Sequence, residues 1–213
     1  MNIPVIYEDE WLVVLDKPQG LLTIPSPKNE PRTLTSILNQ DLIERNISYR
    51  LHPCHRLDRQ TSGLIIYAKG KSVQKKMMDL FHQRKIKKTY IAFVQGHIAK
   101  AAGEINIPIE RKPAQTRYKL IKEKNNFSVL EVEPITGRTN QIRIHFSQIG
   151  HPVVGEDKFS FRRDFKLRSK RLCLQAKKLE FKHPVSGKFI QLSLDLPEDM
   201  KKLVDKKPAE GSV

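Results

Sequence analysis

One polar string stands out as able to do chemistry: His55-Arg56-Leu57-Asp58-Arg59-Gln60-Thr61-Ser62-Gly63, which runs directly into the apolar stretch beginning at Leu64. A carboxylate set between two guanidinium groups is favoured in its ionised form, which suits attack on an electrophilic carbon better than delivery of a proton. Thr61-Ser62-Gly63 permits a tight turn behind it. An isolated Arg-Leu-Asp string is more often a surface ion pair before a strand, so the string by itself decides little. Two further segments are rich in reactive or hydrogen-bonding types, Lys88-Thr89-Tyr90-Ile91-Ala92 and Thr136-Gly137-Arg138-Thr139-Asn140-Gln141-Ile142-Arg143-Ile144-His145. No cluster has metal-ligand spacing, and neither a phosphate-cradling glycine loop nor a dinucleotide fingerprint occurs, so no metal or cofactor is expected. Cys54 and Cys173 are far apart and read as ordinary thiols.

The elements that must position these groups follow from periodicity. Trp11 to Leu15 reads as a buried strand closed by Pro18 and Gly20, and Leu34, Ile37, Leu38 and Leu42 recur at helical spacing behind a Thr33 cap. Leu64 to Ala68 is a short apolar strand. Val73, Met77, Leu80 and Phe81 behind Ser72 mark an amphipathic helix whose other face is lysine-rich, and Tyr90 to Val94 reads as a strand. Arg117 to Ile121 and Phe127 to Val132 flank a polar turn at Asn125 and Asn126, which predicts a hairpin. Thr139 is positioned to cap a helix carrying Ile142, His145, Phe146 and Ile149 that Gly150 ends, and two last strands are expected around Leu172 to Leu174 and Phe189 to Leu194. Strands outnumber helices without alternating regularly with them, which favours an α+β class over a doubly wound parallel sheet. One domain over residues 1–205 is the simplest division, with 206–213 a frayed tail.

Of 213 residues, 39 are Lys or Arg and 23 are Asp or Glu, leaving a net charge of +16. The excess is clustered: Lys69 to Lys88 holds eight basic residues and one acid, and Lys158 to Lys178 nine and one. Clustering of this kind points to a polyanionic partner. No basic helix carries the broad Trp, Phe or Leu face that would lie in a bilayer, and no apolar run reaches the roughly 18 to 20 residues of a membrane span, so nucleic acid is favoured over membrane. The acidic opening MNIPVIYEDE lacks a secretory pattern, and a cytoplasmic location is expected.

The string around Asp58 resembles the catalytic motif of the RluA family of pseudouridine synthases, H-R-L-D followed two residues later by T-S-G. Tyr7-Glu8-Asp9-Glu10 and Leu15-Asp16-Lys17-Pro18-Gln19-Gly20-Leu21 are similar to the family's opening strand and its K-P-x-G-L turn. The segments around Tyr90 and Arg143 resemble its K-x-Y-x-A strand and its T-G-R-T-H-Q-I-R-V-H segment, and Gly150-His151-Pro152 and Gly155 continue the match. The resemblance implies a pseudouridine synthase fold, a single mixed and mainly antiparallel sheet with flanking helices around a central basic cleft. It further implies that Asp58 is the catalytic aspartate, that Tyr90 lies against the target base and takes a proton from it, and that Arg143 pairs with the aspartate. Arg56 corresponds to the residue that fills the gap left by a flipped-out nucleotide, and Thr61, Lys88, Arg138 and Gln141 are expected among the substrate contacts. The implied substrate is structured RNA, a ribosomal or transfer RNA stem-loop, bound by a monomer that needs no protein partner.

The sequence departs from the family pattern at Asn140, where histidine is usual, at Gly155-Glu156-Asp157 in place of Gly-Asp, and at Gln175-Ala176 in place of His-Ala. The opening family motif falls within the first ten residues, which suggests a catalytic domain alone. Two rivals are an RNA-binding module that keeps the fold without turnover and a nucleoside-releasing glycosidase. The second ordinarily needs two carboxylates flanking the bond, and the Asp58 motif supplies one.

Overall fold

The computed structural model describes residues 3–26, 30–160, 167 and 169–205. The expected tail 206–213, and Arg162, Arg163, Lys166 and Arg168 of the second basic run, lie outside them. In chain order the elements are β1 (Val5–Glu8), β2 (Leu12–Lys17), α1 (Leu34–Glu44), β3 (Leu51–Pro53), β4 (Ser62–Lys69), α2 (Lys71–His82), β5 (Lys87–Gln95), β6 (Ala102–Ile105), β7 (Thr116–Lys124), β8 (Phe127–Pro134), α3 (Gln141–Gln148), β9 (Leu174–Lys182), β10 (Phe189–Ser193) and α4 (Glu198–Asp205). The class is the expected α+β with mixed β-structure. Two compact units can be distinguished, one holding residues up to Tyr90 together with Leu174–Leu194, the other Ile91–Cys173 and the residues from Asp195.

In the first unit β1, β2, β4 and β9 are successive neighbours, with β3 also on β4 and β10 also on β9. All these pairings are antiparallel except β4 with β9, where Ser62 faces Gln175 and Gly63 faces Ala176 in parallel register. β2 and β4 are buried on both faces, which is why they read as continuous apolar runs. Because side chains alternate along a strand, their two faces hold different cores. Leu12, Val14, Leu64, Ile66 and Ala68 pack with Leu179, Phe181 and Ile190 under Val73 and Met77 of α2. Val13, Leu15, Ile65, Tyr67 and Ala176 pack with Leu34 and Leu42 of α1 and with Leu57. Each fully buried aliphatic side chain in these layers contributes about 1.5 to 3 kcal/mol.

Gly63 explains the close approach of β4 to β9: its φ is +112°, and a Cβ there would strike the Ala176 backbone. In the second unit the neighbour order is β5, β8, β7, β6, with β7 and β8 forming the expected hairpin. Phe93 stacks on Phe127 in a core with Val129, Val154, Cys173 and Met200 of α4.

Thr33 caps α1 as expected, in a reciprocal capping box with Ser36. The other expected cap is displaced by backbone geometry: Asn140, in the left-handed region at φ +53°, precedes α3 where Thr139 was expected. Helix α2 begins at Lys71 behind Gly70, whose φ is +112°. The strand expected at Leu172 begins only at Leu174. The periodicity argument did not anticipate α4, whose Met200 is fully buried.

Candidate active site

Asp58 sits in the loop between β3 and β4, and that loop is tied down on both sides of it. Upstream, Cys54 N donates to Ile66 O and Ile66 N donates to His55 Nε2, both at 3.0 Å. The His55 ring packs at a tilt against Phe81, with ring centres 4.7 Å apart. Burial pushes the His55 imidazole down to about 3, so it serves as a neutral acceptor at neutral pH. Leu57 exchanges two hydrogen bonds with the buried hydroxyl of Thr23, its N donating at 3.2 Å and its O accepting at 3.0 Å. Downstream, Thr61 N donates to Asp58 O at 3.1 Å and Gly20 N to Arg59 O at 2.8 Å.

The least expected member of this cradle is Lys17. Its side chain is fully buried, and its Nζ donates to Leu21 O at 2.7 Å, Pro18 O at 2.9 Å and Arg59 O at 3.3 Å. One ammonium thus joins the end of β2, the turn that follows and the Asp58 loop. Burial pulls its pKa down to about 8, against the opposing pull of the Asp58 and Asp16 carboxylates. The motif reading placed the cations of Asp58 at its sequence neighbours. The structure turns Arg59 to an ion pair with Glu30, leaves Arg56 exposed, and sets the Lys17 charge close enough to act on Asp58. The signal in the sequence was parity: Lys17 continues the inward-facing series Val13, Leu15.

Tyr90 joins the α1-side core and lies near Asp58. Burial and then the Asp58 charge raise its pKa, so the phenol enters any reaction protonated. Lys88, two residues earlier on β5, is half-buried, and burial lowers its pKa. Thr61 is buried, and its hydroxyl has no hydrogen-bond partner among the described residues.

Arg143 belongs to the second unit. It is 7% exposed and grips Glu156 with two parallel bonds, Nε to Oε2 and Nη2 to Oε1, both at 2.6 Å. Its Nη1 donates to Asn140 Oδ1 at 3.0 Å, and its guanidinium lies 5.1 Å over the Phe159 ring. Two of the three departures from the family pattern, Asn140 and Glu156, therefore touch this one arginine. Gly155 lets the chain deliver Glu156 there, because its φ is +82° and a Cβ would collide with the Arg171 carbonyl.

Gln141 was expected to contact substrate, and its hydrogen bonds leave no amide position for one. Its Oε1 accepts from Thr136 Oγ1 at 2.6 Å and Arg138 N at 2.9 Å, and its Nε2 donates to Gln115 O at 2.8 Å and Thr116 Oγ1 at 3.0 Å. The buried His145 continues the same network, with Nδ1 at 2.9 Å from Thr116 Oγ1 and Nε2 at 2.9 Å from Ile107 O. Arg138 is exposed, its Nε donating to Pro113 O at 3.1 Å.

A carboxylate near a buried ammonium and a phenol, on a mixed sheet flanked by helices, defines an α+β enzyme of the nucleotide-base-modifying kind only when relatives are brought in. Residues 11–148 match the RNA pseudouridylate synthase family. The chain is 35% identical over 207 residues to a dual-specificity RNA pseudouridine synthase RluA of Pasteurella multocida, covering 90% of this chain and 92% of that one. It is 35% identical over 227 residues to an uncharacterized RNA pseudouridine synthase of Aquifex aeolicus, covering 94% of this chain and 72% of that one. The solved structure of human RNA pseudouridylate synthase domain containing 4 shares the fold, with a TM-score of 0.78 and 22% identity over 92% of this chain and 90% of its own. The chain belongs to the RNA pseudouridylate synthase family and is an isomerase of that class.

Proposed function

We propose that the protein converts uridines in structured RNA, in ribosomal or transfer RNA stem-loops, to pseudouridine with Asp58 as nucleophile. The observation that carries this reading is the loop cradle: a carboxylate fixed from both sides, near a buried ammonium at Lys17 and a half-buried phenol at Tyr90. Preorganisation of this kind is what a covalent step requires, since the nucleophile spends no energy on finding its position. The dual-specificity name of the RluA relatives supports more than one RNA target.

In the proposed reaction the bond between C1′ and N1 breaks, the base rotates, and C1′ joins C5. The C5 proton leaves to solvent, and N1 gains one in exchange. Asp58 opens the sequence by attacking the base or the sugar. Tyr90 packs against the base, and because its phenol is protonated at rest it must give up its own proton, to N1 or to solvent, before it can take one from C5. A stacked uridine hides these atoms, so the nucleotide must be extruded at a cost of a few kcal/mol. In this scheme Arg56, exposed in the Asp58 loop, fills the vacated stack. Arg143 supplies the cation that the family pairs with the aspartate, and Lys88 and Arg138 neutralise phosphates. Every group this scheme uses is a side chain of one chain, so the enzyme is proposed to work as a cytoplasmic monomer without metal, cofactor or protein partner.

The test is Asp58→Asn, assayed by tritium release from RNA labelled at C5 of its uridines and taken from a strain lacking the gene. Release should fall by about a thousandfold or more, equivalent to about 4 kcal/mol of transition-state stabilisation, while RNA binding and thermal stability stay near wild type. Release by the variant at the wild-type rate removes the role of Asp58. Absence of release by the wild type itself favours the non-catalytic binding module.

A further inference from the structure

The basic run between Lys69 and Lys88 is only partly accounted for by a catalytic site at Asp58. Strand alternation separates them. Leu57 and Tyr90, on either side of the Asp58 site, pack into the α1-side core with Val13, Leu15, Ile65 and Tyr67, and Lys17 continues that inward series. Helix α2 packs on the opposite face, with Val73 and Met77 over Leu12, Val14, Leu64 and Ile66. Its outer surface therefore points away from the sheet face on which Leu57 and Tyr90 pack, either side of the Asp58 loop.

That outer surface is exposed and rich in cations, with Ser72, Met78, His82 and Gln83 between them. Lys71, Lys75 and Lys76 of α2 and the following Arg84, Lys85 and Lys87 are all exposed, with Asp79 the one acid among them. None of the six takes part in an ion pair among the described residues. The placement works against the helix itself. Lys71 stands in the first turn, which holds no acidic residue, so its charge opposes the positive end of the helix dipole. Lys71 and Lys75 are a like-charged pair one turn apart, a spacing that destabilises a helix. A merely solvated surface would more readily carry acids at the start and mixed signs along the stripe. With twelve residues, α2 spans roughly 18 Å, enough to run past several phosphates of one strand.

We infer that the outer face of α2, with the segment that follows it, is a second RNA-docking surface that holds a phosphate backbone remote from the reacting uridine. The inference rests on the chain acting on RNA, and it adds that the enzyme grips its substrate on two sides of the first unit. The phosphates it takes are sequence-independent, since lysine ammonium groups on one exposed helix face offer point charges without a rigid fork for base edges.

The experiment compares Lys71→Glu/Lys75→Glu/Lys76→Glu with wild type. Reversal places acids in the first turn and removes the like-charge pair, so the melting temperature should hold or rise, which separates a binding defect from misfolding. The probe is a 20-base-pair RNA duplex that contains no uridine and cannot be a substrate. Affinity at about 0.1 M salt should fall at least tenfold, and the slope of log K against log salt should shrink by about 2 to 3, at 0.7 to 0.9 per lost contact. With C5-labelled RNA, the half-saturating concentration should rise at least fivefold while kcat stays within twofold of wild type. Asp58→Asn should bind the duplex as wild type does, so a failure of the catalytic reading would leave this result standing. Unchanged duplex affinity overturns the inference and assigns α2 to solvent or to an acidic protein partner. A collapse of kcat together with affinity overturns it in the other direction, making α2 part of the catalytic footprint.

Discussion

Glu156→Ala tests whether the carboxylate that departs from the family pattern holds Arg143 in place. The Glu156 side chain is fully buried and receives four N–H groups: Nε and Nη2 of Arg143 at 2.6 Å each, Lys158 N at 2.9 Å and Phe159 N at 3.2 Å. Removing one partner of a buried pair costs about 3 to 5 kcal/mol, chiefly because the other charge is left behind without its counterion. Asn140 at 3.0 Å and the exposed Asp157 at 3.7 Å remain beside Arg143, which places the expected loss at the lower end, about 3 kcal/mol. For a chain of this length that corresponds to a fall in Tm of about 6 to 12 °C. The pH dependence gives an independent reading. Burial pushes the Glu156 carboxyl up, but the Arg143 hydrogen bond and charge and the two backbone amides outweigh it and hold the group below the usual glutamate range. A depressed folded-state value means that the stabilisation is fully present above the unfolded value, near 4.3, and is lost as pH falls through the folded one. Urea unfolding of both proteins from pH 7 down to pH 3 should therefore show a gap of about 3 kcal/mol that narrows in acid. At 25 °C, where the variant is still folded, tritium release should fall at least tenfold, and Glu156→Gln should recover little of it, because the amide loses the charge. A gap under 1 kcal/mol, or one that stays constant into acid, would refute the assignment of Glu156 as the partner that fixes Arg143.

Lys17→Met should destabilise the fold by about 1 to 2 kcal/mol at pH 7, since the carbonyls of Leu21 and Pro18 lose the ammonium donor while Arg59 O keeps its bond from Gly20 N. Folded Lys17 releases its proton near 8 and the unfolded residue near 10.4, so the wild type gains stability between those values, and its advantage over the variant should widen by about 2 to 3 kcal/mol from pH 8 to pH 10 in denaturant titrations. Thr61→Val replaces a buried hydroxyl that lacks a partner among the described residues, so unfolding should show a change of less than about 1 kcal/mol, in either direction. A loss of turnover of a hundredfold or more in that folded variant would show instead that the hydroxyl meets the nucleotide when RNA is bound.

Much of the architecture was legible because its causes are local. β2 and β4 are buried on both faces and so print as unbroken apolar runs, α1 announces itself by a capping box, and the β7–β8 hairpin by a polar turn between alternating strands. The start of α3 was misread because its cap is set by left-handed backbone at Asn140, and side-chain type at the neighbouring Thr139 carries no trace of that. Helix α4 is short and mostly charged, and its one fully buried residue, Met200, finds its partners far away in sequence.

The site divides along the same line. The Asp58 string could be found from residue types, but one cation that acts on Asp58 comes from 41 positions earlier, in Lys17, while its sequence neighbour Arg59 pairs with Glu30. Likewise Asn140 and Glu156 appear in the sequence as two unrelated departures. In space they share the guanidinium of Arg143, Asn140 accepting from one nitrogen and Glu156 from the other two. A histidine at 140 would bring a ring nitrogen and a bulkier side chain to the position where Asn140 offers a small carbonyl oxygen. An aspartate at 156 would be one methylene too short to reach Arg143 from the same backbone. The two departures, unrelated along the chain, thus meet on one side chain, so that a change at either is felt at Arg143.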